Sequence, residues 1–236
     1  FSQNNMGAYG GPDIITDGLV FAIDAGSTRS YAGSGTTGID LISSESITLV
    51  NGVTFNSANG GSWEFDGTDQ YINLPLSLIT ALHGGTEASI FIWIKNDATV
   101  NAVGTSGIIQ FSGYNNGNGN LWFYNNGYTY LDIFRTSRVS QVFANNTETG
   151  TNWNMLTITT TPGTAGWKCY MNGVQKIDTT GESTVSVSNI QGGLTLGRNN
   201  SSRYTNGKIA ACQIYDRALT ATEVLQNYNA QKNRFI

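Results

Sequence analysis

Hydrophobic positions in this chain fall into short β-branched and aromatic runs, separated from Ile14 onward by clusters of Gly, Asn, Asp, Ser and Thr. That rhythm predicts strands joined by tight turns, as in a sandwich or a barrel. The runs are Gly18–Asp24, Ser62–Phe65, Gln70–Leu74, Ala88–Lys95, Ile108–Phe111, Leu121–Tyr124, Tyr128–Phe134, Trp153–Thr160, Trp167–Asn172, Leu194–Gly197 and Lys208–Tyr215. Ala88–Lys95 puts Ile90, Ile92 and Ile94 on one face and Phe91 and Trp93 on the other, which predicts a central strand covered on both sides. Asp66-Gly67, Asn125-Asn126-Gly127 and Asn172-Gly173 supply residues that tolerate positive φ in tight turns. Gly26–Gly38 reads as a loop.

One helix is predicted, near the end. Thr220-Ala-Thr-Glu223 fits a capping box, and Val224, Leu225 and Tyr228 follow as an apolar stripe at helical spacing. Phe1–Pro12 is polar, glycine-rich and without periodicity, so residues 1–13 read as a flexible arm and residues 14–236 as one domain.

Composition narrows the class. The 236 residues are 39% hydrophobic, with 10 Phe, 11 Tyr and 5 Trp, enough for one large all-β core. Only 12% are charged, about half the usual share, so Ser, Thr, Asn and Gly must solvate the surface, as suits extracellular or virion β-proteins. A net charge of −4 without a basic stripe argues against nucleic acid as a partner. No apolar run approaches the roughly 20 residues of a membrane span, and no signal-peptide pattern is visible. The first residue is Phe1 rather than Met, which points to a trimmed chain or a piece of a longer one. Cys169 and Cys212 are too few for a disulfide scaffold or a zinc site. Both lie in strand-like runs, which suggests buried thiols, with a single bridge between them as the alternative.

Four segments, taken in order, resemble the laminin-G-like, concanavalin A-like jelly roll. They are Gly18-Leu-Val-Phe-Ala-Ile-Asp24, Trp63-Glu-Phe-Asp-Gly-Thr-Asp-Gln-Tyr71, Tyr170-Met-Asn-Gly173, and Gly207-Lys-Ile-Ala with Ile214-Tyr-Asp-Arg-Ala-Leu-Thr220. Trp153 also stands where that family has a Trp. A narrower likeness links Thr16-Asp-Gly-Leu-Val, Asp24-Ala-Gly, Arg29–Thr37, Asn227-Tyr-Asn-Ala and Arg234-Phe-Ile to virion structural proteins of tailed bacteriophages of the cyanophage type. In those proteins the domain sits on a capsid fibre, a capsid decoration or a tail appendage. The resemblance therefore implies a virion-surface location facing outward, other capsid or tail proteins as partners, and a homo-oligomer as one option. Gly38 and Phe235 depart from that pattern, which has Trp and Gly there.

The superfamily also includes glycosidases, whose signature is Glu-x-Asp-x-(x)-Glu on one strand. Glu64-Phe-Asp66-Gly-Thr-Asp69 comes near it, but Gly67 breaks the strand and the last acid is Asp. Retaining hydrolysis needs two carboxyls about 5–5.5 Å apart. His83, the single histidine, has no Gly-x-Ser-x-Gly elbow to serve, and no phosphate loop occurs. The expectation is a non-enzymatic domain with no required cofactor.

Binding features are more suggestive. Ser112–Arg135 interleaves aromatics with Asn and Gly, and strand parity turns Trp122 and Tyr124 one way with Leu121 and Phe123 the other. Tyr114, Trp122, Tyr124, Asn125, Tyr130 and Asp132 are the candidate carbohydrate-binding residues, since rings stack on pyranose faces and amide or carboxylate groups hold hydroxyls. The same aromatics would also serve core packing or an oligomer contact. The laminin-G-like resemblance implies a cation at the rim, so Asp24, Asp66 and Asp69 are candidate calcium ligands; the plainer alternative is that they bond their own turns. The leading expectation is a display or adhesion domain for host-surface polysaccharide. Its rivals are a capsid-cementing protein and a glycosidase using Glu64 and Asp66.

Overall fold

The structure is a computed structural model that describes residues 12–82, 87–97, 106–111, 120–123, 129–131, 139–140, 151–161, 167–178, 194–199 and 203–236. In chain order the strands are β1 (Leu19–Asp24), β2 (Thr37–Ile39), β3 (Ser46–Val50), β4 (Thr54–Asn56), β5 (Ser62–Asp66), β6 (Tyr71–Asn73), β7 (Ala88–Asn96), β8 (Ser106–Phe111) and β9 (Asn120–Phe123). They continue as β10 (Thr129–Leu131), β11 (Val139–Ser140), β12 (Asn154–Thr160), β13 (Trp167–Met171), β14 (Val174–Asp178), β15 (Leu194–Leu196), β16 (Arg198–Asn199), β17 (Arg203–Tyr204) and β18 (Asn206–Tyr215). Two α-helices accompany them, α1 (Ser77–Leu82) and α2 (Ala221–Gln231).

Two antiparallel sheets face each other. The first runs β14-β13-β12-β7-β18-β5-β4, with β1 also paired to β18; the second runs β11-β10-β9-β8-β15-β6-β3-β2. β18 holds β5 along its first half and β1 along its second, with Ile209 opposite Trp63 and Cys212 opposite Ile23. A bulge at Ala210 lies where the two meet. Without that extra residue, strict alternation from Ile209 would turn Cys212 and Ile214 outward; with it all three enter the core.

Between the sheets, Phe21, Trp63, Phe65, Ile90, Ile92 and Ile94 meet Ile47, Leu49, Ile72, Ile108, Leu194 and Leu196. The outer face of the first sheet carries a second buried cluster of Phe91, Trp93, Met155, Tyr170 and Tyr215, covered by Val224 and Ala230 of α2 and by Phe235. β7 thus lies between β12 and β18 with apolar residues on both faces, as its sequence predicts. Cys169 and Cys212 are free thiols buried in the inter-sheet core, where burial raises the pKa of both.

The capping box forms, with Glu223 N donating to Thr220 Oγ1 at 3.3 Å and Thr220 N to Glu223 Oε2 at 2.8 Å. The buried stripe of α2 differs from the sequence expectation: Val224, Asn227 and Ala230 are buried, whereas Leu225 is 45% exposed. Asn227 sets the helix's rotation. It accepts from Ile15 N at 2.8 Å and donates to Tyr215 Oη at 3.0 Å, while Tyr215 Oη donates to Ile15 O at 2.9 Å. A buried amide whose oxygen and nitrogen both find partners can occupy an apolar stripe with its desolvation cost largely offset.

The single-helix expectation is also corrected by α1, and part of the predicted Gly26–Gly38 loop is β2. β2, β3 and β4 are short strands held by their ladders rather than by local propensity. Residues 1–11 of the predicted arm lie outside the described residues.

Candidate functional site

The outward face of the second sheet is built by period-two alternation. In β3, Ile47 and Leu49 enter the core while Ser46 and Thr48 are exposed; in β6, Ile72 is buried while Asn73 is exposed and Tyr71 half-buried. The ladder then lines up residues that are far apart in sequence. Thr37 pairs with Thr48, Thr48 with Asn73, Asn73 with Thr195, Thr195 with Gln110, and Gln110 with Asn120. These six positions form one polar row across β2, β3, β6, β15, β8 and β9, a span of about 24 Å at ordinary strand spacing; Thr37, Thr48 and Asn73 are exposed, whereas Thr195 is buried.

Aromatic positions edge that row. Tyr71 lies two residues before Asn73 and shares the row's face by strand parity, and Trp122 follows two residues after Asn120 along β9. Trp122 is the direct cross-strand partner of Tyr130 in the β9–β10 ladder. Tyr114, Tyr124, Asn125 and Asp132, the other candidate sugar-binding residues, lie outside the described residues, as does His83.

Next to Tyr71 the chain makes a ribbon of its own. Gly197 ends β15 with φ +90°, and a Cβ there would stand 2.5 Å from the Phe65 ring, so only glycine fits. The following pair β16 and β17 is tied down as Gly197 N donates to Ile108 O at 2.7 Å, Thr205 N donates to Gly197 O at 2.7 Å and Thr205 Oγ1 donates to Gly107 O. This brings Arg198 over the Tyr71 ring, Cζ to centroid 3.9 Å, with its Nε donating to Thr195 Oγ1 at 3.3 Å. Sequence reasoning passed over Tyr71, Asn73, Gln110, Thr195 and Arg198. Alternation within Tyr71-Ile72-Asn73 was legible, but not its alignment with residues more than a hundred positions away.

The candidate acids stand elsewhere. Glu64 projects from the first sheet, away from the inter-sheet core that its neighbours Trp63 and Phe65 enter. Lys208 Nζ lies 2.7 Å from its Oε1, and Asn56 Nδ2 donates to the same oxygen at 3.0 Å. The Lys208 hydrogen bond holds the Glu64 carboxyl below its ordinary range, against the opposing effect of burial. Asp66 is exposed, and its Oδ1 accepts from Thr68 N at 2.8 Å, closing the Asx turn around Gly67 at φ +77°. Asn51 Nδ2 donates to the backbone carbonyl of Asp69 at 3.1 Å.

Asp24 lies apart from these two. It ends β1 beside the start of β5, whereas Asp66 is at the other end of β5, opposite Asn206. Both Asp24 oxygens accept from Arg234 Nη1, at 2.7 and 2.8 Å. Among the described residues no three His, Cys, Asp or Glu side chains are grouped as metal ligands would be. The structure therefore does not bring the three candidate calcium ligands together.

Two apposed antiparallel sheets, a helix over one outer face and a polar, aromatic-edged opposite face define a lectin-like jelly roll. The chain belongs to the Laminin_G_3 family of the concanavalin A-like lectin/glucanases superfamily, which it matches over residues 66–225. Among solved structures it is similar to the Trypanosoma rangeli sialidase in complex with the inhibitor DANA, at TM-score 0.66 and 12% identity over 95% of this chain and 34% of the sialidase. The binding domain of botulinum neurotoxin DC in complex with rat synaptotagmin II aligns at TM-score 0.66 and 15% identity, over 91% of this chain and 52% of that domain. A structure of botulinum neurotoxin type C, whose title concerns interaction with two ganglioside molecules, aligns at TM-score 0.64 and 15% identity over 91% of this chain and 51% of that one. The chain thus spans about a third of the sialidase and half of the neurotoxin chains, and at these identities the likeness is one of fold. A comparison with curated protein sequences finds no match.

Proposed function

We propose that this chain is a non-enzymatic, lectin-like domain displayed on a virion, on a capsid fibre, decoration or tail appendage, whose second sheet adheres to host-surface polysaccharide. The polar row Thr37–Thr48–Asn73–Thr195–Gln110–Asn120 carries the reading. Hydroxyl and amide groups at the exposed positions Thr37, Thr48 and Asn73 suit the hydroxyls of an extended glycan, and the aromatic positions Trp122 and Tyr130 lie on the strands that continue the row. A fold neighbour's interaction with gangliosides supports a carbohydrate partner. The virion setting rests on the phage-like segments near both ends of the domain and on the low charge of the chain.

The non-enzymatic part of the reading is supported by the placement of the two acids: the Glu64 carboxylate is engaged by Lys208 and Asn56, and Asp66 closes its own Asx turn. Glu64 also stands on the opposite side of the sandwich from the polar row. Glycan-array and calorimetric binding tests the adhesion reading: Asn73→Ala, Gln110→Ala and Trp122→Ala are each expected to weaken binding about tenfold, the scale of one lost stacking or hydrogen-bonded contact. A protein that binds no polysaccharide, with this face buried against the shell in the assembled particle, would be a cementing protein instead. Sugar release from laminarin or agarose that disappears in Glu64→Gln would make it a glycosidase.

A further inference from the structure

Arg198 differs from the other well-placed arginines of this chain. Arg217 is paired with Glu223 at 2.7 Å and Asp17 at 3.0 Å, and Arg234 with Asp24 at 2.7 Å. Among the described residues no carboxylate pairs with Arg198. The described positions of β3 and β6 on the same face, Ser46, Thr48, Val50, Tyr71 and Asn73, include no acid. A half-buried guanidinium with no counter-ion among the described residues, in a chain of net charge −4, needs another reason to stay where it is.

Its geometry is set in advance. The Arg198 Cζ lies 3.9 Å from the Tyr71 ring centroid, Nε donates to Thr195 Oγ1 at 3.3 Å, and Gly197 and Thr205 hold the backbone of the ribbon. With Nε engaged, the two Nη groups form the remaining end of the fork. That planar pair of donors matches two oxygens of a carboxylate or a sulfate ester, and little side-chain freedom is left to lose on binding.

We propose that the glycan received on the second sheet is acidic, and that Arg198 binds its carboxylate or sulfate beside the polar row. The proposal rests on the glycan-binding reading of that face. Acid recognition here is local, since the net charge of the chain would otherwise repel a polyanion.

Matched probes separate the two readings. Polygalacturonate and its carboxyl-reduced form differ only in the acid, and dextran sulfate against dextran tests sulfate. The full chain is expected to prefer at least one acidic probe over its neutral partner by about tenfold or more, equivalent to about 1.4 kcal/mol. Carboxylate and sulfate arms then tell which anion is read. Arg198→Gln is expected to bring that ratio to about one, and Arg198→Lys, which keeps charge but loses the fork, to restore only part of it. Circular dichroism and thermal melting of both variants confirm that the fold is retained. Equal binding of acidic and neutral partners, or a preference unchanged in Arg198→Gln, overturns the acidic-ligand proposal while leaving glycan binding intact. Binding of no polysaccharide of either kind overturns both.

Discussion

Arg217 and Glu223 show how one ion pair closes a helix start. Arg217 Nη2 donates to Glu223 Oε1 at 2.7 Å and Nη1 to Oε2 at 3.2 Å, while Oε2 also accepts from the Thr220 backbone and hydroxyl. The Arg217 hydrogen bond, followed by the Thr220 contacts, lowers the Glu223 pKa to about 2. A carboxyl whose folded pKa is depressed stabilises the fold above its unfolded pKa, near 4.5, and that contribution is lost as the pH falls toward 2. Glu223→Gln is therefore expected to cost about 1–2 kcal/mol at pH 7, moderated by the partial solvation of both side chains. The difference between variant and wild type in urea unfolding should shrink steadily between pH 4.5 and 2. A constant difference across that range would show that charge is not its source.

At the scale of elements, the cover over the first sheet joins the two ends of the domain. Arg234 binds Asp24 through both carboxylate oxygens, donates from Nε to Asn59 O at 2.7 Å, and reaches Gly61 O through Nη2. Gly26 leaves room for this, since a Cβ there would stand 1.9 Å from Gly60 O. The next residue, Phe235, stacks on Trp93 at 4.1 Å and contacts Trp153 at 4.9 Å, and Tyr228 of α2 stacks on Trp93 at 5.9 Å. The Asp24–Gly26 and Arg234–Phe235 segments are thus joined by ion pairing and packing. Phe235→Ala should cost about 3 kcal/mol in urea unfolding, from lost burial and stacking. Leu225→Ala, on the same covering layer but 45% exposed, should change stability by no more than about 0.5 kcal/mol. Equal costs would mean that α2 is rotated from the position Asn227 gives it.

At the scale of the whole molecule, the sandwich keeps both thiols inside. Cys169 and Cys212 lie in the same core as Trp63 and Ile92, and burial raises both thiols above their ordinary pKa. Since the thiolate is the reactive form, modification requires the sheets to open. At pH 8 the native protein should show no reaction with a disulfide reagent over the time in which urea-unfolded protein reacts at both cysteines. Fast labelling of the native protein would place one thiol outside the core.

Much of this fold was legible in the chain because its signals are local. The alternation of Ala88–Lys95, the Asp66-Gly67 and Asn172-Gly173 turns, and the Thr220–Glu223 box each concern neighbours in sequence. The structure matches them with a two-faced β7, positive φ at Gly67, Asn172 and Gly173, and a closed capping box. The short strands β2 to β4 were not legible, since three to five residues carry little propensity and are held by partners elsewhere. The candidate site shows the same division. Parity on a single strand pointed to Trp122, and local resemblance pointed to Glu64 and the aspartates. Only the ladder could put Thr37, Asn73, Gln110 and Thr195 in one row, set Arg198 on Tyr71, and separate Asp24 from Asp66. Register between distant strands follows from the burial of a whole face, and that is a property of the folded chain, not of any one segment.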